Sequence, residues 1–212
     1  MTSEGHWHSA VVYQVYWRSF KDGNGDGIGD LKGLRSKIGY LSSLGVDAIW
    51  LNPTYPSPQG DHGYDVSNYF DVDPLFGTLE ELEQAIDEFH DHGMAVLLDI
   101  VPNHVSSQHP WFISAKEGGH GHEAESRFII RQGKGDSGGI PPNDWKSVFG
   151  GPAWSKFPTE AGRPQRWYLH MFDECQPDLN WENPDVHERF EKILEHWYCL
   201  LYTSDAADDM FR

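Results

Sequence analysis

The stretch Met94-Ala-Val-Leu-Leu-Asp-Ile-Val-Pro-Asn-His104 constrains the fold more than any other part of the chain. Met94 to Val101 is an apolar run broken by one acid, Asp99. Bounded by Gly93 and Pro102, it predicts a strand buried on both faces, as in a parallel sheet. Its C-terminal end carries Asp99, Asn103 and His104. Parallel α/β folds place their sites at that end of their strands.

The preceding hundred residues repeat one rhythm. Val11 to Trp17 is β-branched and aromatic and reads as a first strand. Leu31, Leu34, Ile38 and Leu41 then recur at helical spacing, and Gly45 ends the run. Val46 to Leu51 is a second strand. A Pro- and Gly-rich loop from Asn52 to Pro74 contains Asp61-His-Gly-Tyr-Asp65. Thr78 and Glu81 have the spacing of a capping box. Leu79, Leu82, Ile86 and Phe89 are the apolar stripe of the helix it opens, closed by Gly93. Strand, helix, strand, helix, strand at this spacing implies βα units and a parallel sheet, an α/β fold.

After His104 the rhythm stops. Residues 105–180 are rich in Gly, Pro, His and Trp, with strand-like pieces at Arg127–Ile130 and Arg166–Leu169. So long an irregular excursion reads as a functional insertion or a small domain. Asn183 and Pro184 then open a helix as N-cap and first helical residue, with Phe190, Ile193, Leu194 and Trp197 on its apolar face.

Between the first strand and first helix lies Asp22-Gly-Asn-Gly-Asp-Gly-Ile-Gly-Asp30. Side-chain oxygens fall on Asp22, Asn24, Asp26 and Asp30, and Ile28 stands where a backbone carbonyl would complete the set. Oxygen donors at alternate positions suit a hard divalent cation, Ca²⁺ or Mg²⁺. The twelfth position of an EF-hand loop would be Gly33, without the bidentate Glu, so an isolated structural metal loop is expected instead. Asp30 is also placed to cap the next helix. His120 and His122 with Glu123 form a weaker metal candidate, for which a polar loop is the better reading.

A formal net charge of −17 argues against nucleic acid or an anionic membrane as partner. No apolar run reaches the length of a membrane span. The first residues lack the basic and apolar regions of a secretory signal, so a cytoplasmic location is expected. Two cysteines, Cys175 and Cys199, make no disulfide framework. Oligomeric state has no signal.

With these motifs in order, the chain resembles the α-amylase superfamily of glycoside hydrolases, family 13. Within it, the likeness is to the α-glucosidase and oligo-1,6-glucosidase branch. Asp99-Ile-Val-Pro-Asn-His104 is similar to the family's signature on its third strand. Gln176-Pro-Asp-Leu-Asn-Trp181 resembles the motif closing its inserted domain. Asp22 to Asp30 resembles its first-loop metal site, and Asp61 to Asp65 the segment lining its glucose pocket. Pro141 to Trp154 resembles a stretch of the inserted domain. The likeness covers roughly residues 10–198.

The resemblance implies the N-terminal part of a (β/α)₈ TIM barrel with an inserted small domain after strand three. Residues 1–104 would be the first three βα units, 105–180 the inserted domain and 181–198 the third barrel helix. It implies that Asp61 binds hydroxyls in the glucose pocket, Tyr64 stacks on the sugar, His104 hydrogen-bonds it and Asp99 orients the site. The partner implied is a small malto- or isomalto-oligosaccharide, hydrolysed at its end with retention. Sucrose- or trehalose-converting activities, or a non-catalytic carbohydrate- or Ca²⁺-binding relative, are the alternatives.

Retaining glycosidases need a nucleophilic and an acid/base carboxyl. The family's motifs for both, expected beyond Tyr198, do not occur in these residues. From Cys199 to Arg212 the chain departs from the family pattern and resembles a translated sequencing-adaptor artefact. Residues 199–212 are therefore expected not to be native and the chain to be a fragment. Three strands cannot close a barrel, so poor solubility and no glucosidase activity are expected.

Overall fold

The computed structural model describes residues 6–209. The chain divides into two compact units: Met1–Pro56, Phe70–Ile100 and Leu194–Arg212 form the first, and Ser57–Tyr69 with Val101–Ile193 form the second. The loop bearing Asp61 and Tyr64, read in the sequence with the first 104 residues, thus packs with residues 101–193.

The first unit is built on strands β1 (Val12–Val15), β2 (Ala48–Leu51) and β3 (Ala95–Leu98), parallel and in that order. Its helices are α1 (Trp17–Phe20), α2 (Leu31–Arg35), α3 (Ile38–Ser43) and α4 (Leu79–Asp91). Helices between parallel neighbours are what the strand–helix rhythm requires. The capping box of α4 is present, with Thr78 Oγ1 accepting from Glu81 N and Glu81 Oε2 accepting from Thr78 N. Gly93 takes a positive φ of 75° after the helix, a conformation open to glycine at little cost.

The first unit departs from expectation in two places. The stripe Leu31, Leu34, Ile38, Leu41 is buried throughout, but it lies on two short helices. Ser36 Oγ donates to the Gly33 carbonyl at 2.6 Å. A local side-chain bond of this kind competes with helix continuation. Second, β3 is not buried on both faces. Side chains alternate across the sheet. Val15, Ile49, Leu51 and Val96 are buried, whereas Val12, Trp50 and Leu97 are 43 %, 36 % and 37 % exposed. Trp50 and Leu97 are registered partners on the open face, and nothing among the described residues buries them.

The second unit contains α5 (Pro110–Glu117), a 3₁₀ turn over Glu123–Arg127, and an antiparallel sheet of β4 (Ile130–Gln132), β5 (Trp154–Phe157) and β6 (Arg166–Leu169) in the order β4-β6-β5. The strand expected at Arg166–Leu169 is β6. The one expected at Arg127–Ile130 begins only at Ile130. Arg127 instead ends the 3₁₀ turn, its buried guanidinium donating to Asp185. Buried Phe112 of α5 packs against Phe128, Phe157 and Tyr168, all edge-on, and Ala153, Trp154, Trp167 and Leu169 form a core cluster of the same unit.

Helix α6 (Pro184–Asp209) starts where expected, with Asn183 Oδ1 accepting from Asp185 N at 3.0 Å. Val186, Phe190 and Ile193 are buried in the second unit, and Trp197 is buried in the first, edge-on to Tyr55. Leu194, expected on the apolar face, is 52 % exposed. The stripe through 186, 190, 193 and 197 is narrow, and Leu194 falls a step of about 100° beside it. The helix runs past Tyr198 to Asp209. The last residues of the 199–212 segment lie outside the described ones. No described helix is long and apolar enough to cross a membrane.

Candidate functional site

The second unit gathers three of the residues singled out in the sequence. Asp61 and Tyr64 come from the 57–69 loop, and His104 lies just after its Val101 boundary.

The loop is shaped by an acid that the sequence pattern did not separate from its neighbours. Asp65 Oδ1 accepts from Ser57 Oγ at 2.8 Å and Asp61 N at 2.9 Å, and its Oδ2 accepts from Gly60 N at 3.0 Å. A buried carboxylate with three donors ties the loop to one conformation. His62 sits at φ 51° and Gly63 at φ 103° within it. Asp61 and Tyr64 remain half-buried, so both can meet a solute.

His104 is pinned through its backbone. Its carbonyl and that of Val101 accept from the Tyr69 hydroxyl at 3.0 and 2.6 Å. The segment pairs antiparallel with the Gln176–Trp181 motif through a bridge between His104 and Asp178, and Leu179 N donates to Asn103 O. This pairing brings Gln176 into the cluster. Fully buried, Gln176 donates through Nε2 to Asp61 Oδ2 at 2.9 Å and accepts Asp173 N at Oε1. His104 Nε2 lies 3.0 Å from Gln176 Nε2 and 3.1 Å from the Tyr64 carbonyl. On the ring's other side, Asn103 Nδ2 lies 3.1 Å from Nδ1 and donates to Asp178 Oδ1 at 3.0 Å. The Phe172 ring packs 5.0 Å from the imidazole, and Phe149 packs on Phe172.

Burial pushes the His104 pKa down, opposed by its bond to Tyr64 O and by the charges of Asp61 and Asp65. The imidazole is therefore neutral near pH 7. Burial also pushes the Asp178 carboxyl up to about 6, against hydrogen bonds from Met171 N and Asn103 that favour its charged form. An acid whose pKa is raised by folding stabilises the fold below its unfolded value and loses that contribution as pH rises through its folded value. Asp178 should thus remove about 2–3 kcal/mol of stability between pH ~4 and ~6. His104 acts oppositely, losing stability as pH falls through the ordinary histidine range. Urea melts across this window isolate the acid: Asp178→Asn should flatten the decline relative to the unchanged chain. Parallel pH profiles would exclude it.

The cluster thus offers a carboxylate, an amide and a neutral imidazole around half-buried Asp61, with aromatic rings beside them. Such a set suits a neutral polyhydroxylated ligand: Asp61 accepts from hydroxyls, and the amide and imidazole can donate.

Gln176, Asn103, Asp178 and Asp65 complete this site. The signal for all four was membership in the three motifs already noted, Asp61–Asp65, Asp99–His104 and Gln176–Trp181, not any property of the single residues. Asp99 belongs to the first unit, one residue past β3, where its carbonyl accepts the Tyr55 hydroxyl at 2.7 Å.

The expected metal loop is folded on its own hydrogen bonds. Asp22 accepts from Asn24, Gly25 and Gly27 N, Asn24 from Asp26 N, and Asp26 from Ile28 N. The Gly25 N–H, first among several backbone donors, holds the Asp22 pKa down. Asp30 caps α2, as expected, accepting Gly33 N at 2.6 Å. Among the described residues, no three His, Cys, Asp or Glu side chains converge as a metal site. The donors therefore fit a hard cation in kind, while their carboxylates are not gathered around one centre. The His120–Glu123 stretch is a polar loop, with His122 Nδ1 capping the 3₁₀ turn at Ala124 N. Burial, with Asp173 beside it, pushes the Cys175 thiol up to about 12, so it is not a poised nucleophile.

A family model described as alpha amylase, catalytic domain, matches residues 14–199. An oligo-1,6-glucosidase of Parageobacillus thermoglucosidasius is 44 % identical over 191 residues, 90 % of this chain and 33 % of that protein. A palatinase of Erwinia rhapontici is 46 % identical over 197 residues, covering 93 % of this chain and 34 % of its own. Among solved structures, a MutB mutant in complex with the substrate sucrose superposes with a TM-score of 0.85 at 44 % identity, over 94 % of this chain and 34 % of that one. The chain spans about a third of the length of the curated relatives it matches.

Proposed function

We propose, from the premise that the chain belongs to the alpha-amylase catalytic-domain family, that it is the sugar-binding front part of a retaining α-glucosidase. Its fold is the N-terminal part of that family's TIM barrel. The parent would cleave terminal α-glucosidic bonds of short malto- or isomalto-oligosaccharides in carbohydrate metabolism, in the cytoplasm. Asp61, His104 and Gln176 would hydrogen-bond sugar hydroxyls, Tyr64 would cover a sugar face, and Asp99 would orient the barrel end. The observation that carries this reading is the junction of Asp61, Gln176 and His104, drawn from three stretches into one polar cluster in which Gln176 and His104 are buried and Asp61 is half-buried.

Cleavage with retention needs two carboxyls about 5 Å apart across the scissile bond. The motifs that would supply them do not occur in this sequence. The chain as it stands is therefore expected to bind sugar without turning it over. Calorimetric titration with glucose, maltose and isomaltose should show saturable binding with Kd of about 1–10 mM, roughly 3–4 kcal/mol. Asp61→Ala should weaken it at least ~10-fold, the scale of one lost charged hydrogen bond. No binding to any of the three would overturn the reading. Release of p-nitrophenol from its α-glucoside would overturn the inactivity.

The 22–30 loop is read as a structural Ca²⁺ or Mg²⁺ site, held by Asp22, Asn24, Asp26, the Ile28 carbonyl and Asp30. Its support is the all-oxygen donor set at alternate positions. Bound metal would replace the loop's own hydrogen bonds as its organiser. Adding Ca²⁺ after chelation should raise the melting temperature by several degrees, since an ion at 100 times its Kd adds about 2.7 kcal/mol. Asp26→Ala should abolish the rise, and an unchanged melt in both ions would refute the site.

A further inference from the structure

The donor and acceptor roles around His104 can be followed outward until each is fixed. Asp178 Oδ1 accepts from Met171 N at 3.2 Å and from Asn103 Nδ2. With that oxygen accepting twice, its neighbour Asn103 must present the amino side of its amide, because a reversed amide would set oxygen against oxygen. The second amino hydrogen then points to His104 Nδ1. On the far side, the Tyr64 carbonyl can only accept, so Nε2 donates to it. Gln176 is oriented independently. Asp173 N requires an acceptor at its Oε1 and Asp61 a donor at its Nε2. It therefore turns an N–H toward His104 Nε2 and favours the opposite tautomer. Asn103 and Tyr64 together outweigh it.

We infer that Asn103, held in place by Asp178, is a positioning residue that fixes the Nε2–H tautomer of His104. Both Nε2 and the opposing Gln176 amide are then donors, set beside the Asp61 carboxylate. In that state the second Gln176 N–H has no acceptor in the imidazole, and a ligand oxygen seated beside Asp61 would take it. This rests on the proposed function only for the nature of that ligand. The tautomer itself is a property of the free protein.

The test is histidine ¹⁵N spectroscopy of the full chain, in solution or as a sedimented solid. His104→Gln identifies the His104 resonances among the twelve histidines. About two pH units above the ordinary histidine pKa, imidazoles are neutral and the two nitrogens report the tautomer directly. The unchanged chain should show Nε2–H. Asp178→Asn, which keeps an oxygen for Asn103 and Met171 N, should preserve it. Asn103→Leu should shift the tautomer ratio at least ~10-fold toward Nδ1–H, with Gln176 now donating to Nε2, the scale of one net hydrogen bond. An Nδ1–H imidazole in the unchanged chain would overturn the inference whatever the variants do. So would an Asn103→Leu ratio within about twofold of the unchanged chain, since one hydrogen bond carries far more than that. Sugar titration is separate: intact Nε2–H without glucose binding would leave the tautomer assignment standing and remove the glucosidase reading.

Discussion

Replacing Phe112 by alanine should cost the second unit about 3–5 kcal/mol, the range for emptying a buried aromatic site. Phe112 is fully packed on α5, with ring centroids 4.9 Å from Phe128, 5.1 Å from Tyr168 and 5.9 Å from Phe157. Three edge-to-face neighbours leave a hole that no single neighbour can refill, because each is held by its own strand or turn. The three rings also lose their electrostatic fit, worth about 0.5–1.5 kcal/mol per pair beyond area. Lys116, whose ammonium lies 5.2 Å from the same ring, loses its partner too. Near-UV circular dichroism should show the aromatic signal collapsing at least ~10 °C earlier, given several degrees per kcal/mol. Trp145→Ala is the control, since that side chain is about half exposed and should cost little. If Phe112→Ala melts within about 2 °C of the unchanged chain, the core of this unit lies elsewhere.

Gln176→Leu should be the most damaging change at the site. It removes an amide that donates to Asp61, accepts from Asp173 N and lies 3.0 Å from His104 Nε2. Leucine has similar volume, so the loss is polar and not a cavity. The Asp173 N–H loses its acceptor and Asp61 its donor, each costing about 1–3 kcal/mol where water cannot replace the partner. Asp61 is half-buried and recovers part of its share from solvent. A net loss of about 2–4 kcal/mol in urea unfolding is expected, with glucose binding weakened at least ~10-fold. Gln176→Glu is instructive beside it. At neutral pH it sets a second carboxylate against Asp61, and the like-charge cost should ease as pH falls and one carboxyl takes a proton. If Gln176→Leu unfolds like the unchanged chain and binds glucose equally, the cluster is neither a structural nor a binding unit.

The elements that local chemistry can dictate were legible. Thr78 and Glu81 announce the start of α4, Asn183 and Pro184 that of α6, and Asp30 that of α2, because a cap satisfies backbone groups within three residues of itself. The three apolar strands separated by helical stripes implied a parallel sheet without further information. Where the reading failed, a longer-range term intervened. The periodic helix is interrupted at Ser36, whose hydroxyl donates to the Gly33 carbonyl. Arg127 was drawn out of a strand by Asp185, 58 residues away. Leu97 reads as core but is partly exposed, because whether a strand is covered on its second face depends on elements that its own residues do not encode.

The site divides along the same line. The types of residue needed to hold a polyhydroxylated ligand, Asp61, Tyr64 and His104, stand in motifs that a one-dimensional reading can find. Their assembly does not. Gln176 lies 72 residues from His104 and 115 from Asp61, and nothing in its own surroundings says that its amide joins them. That follows from the antiparallel pairing of His104 with Asp178, which sets Gln176 two residues away against the imidazole. Local sequence thus determines the elements and the chemical vocabulary of this protein, because caps, strands and turns act over a few residues. Which donor meets which acceptor, and so which proton His104 carries, is settled only when the chain closes on itself, because hydrogen bonds act over about 3 Å and take no account of sequence separation.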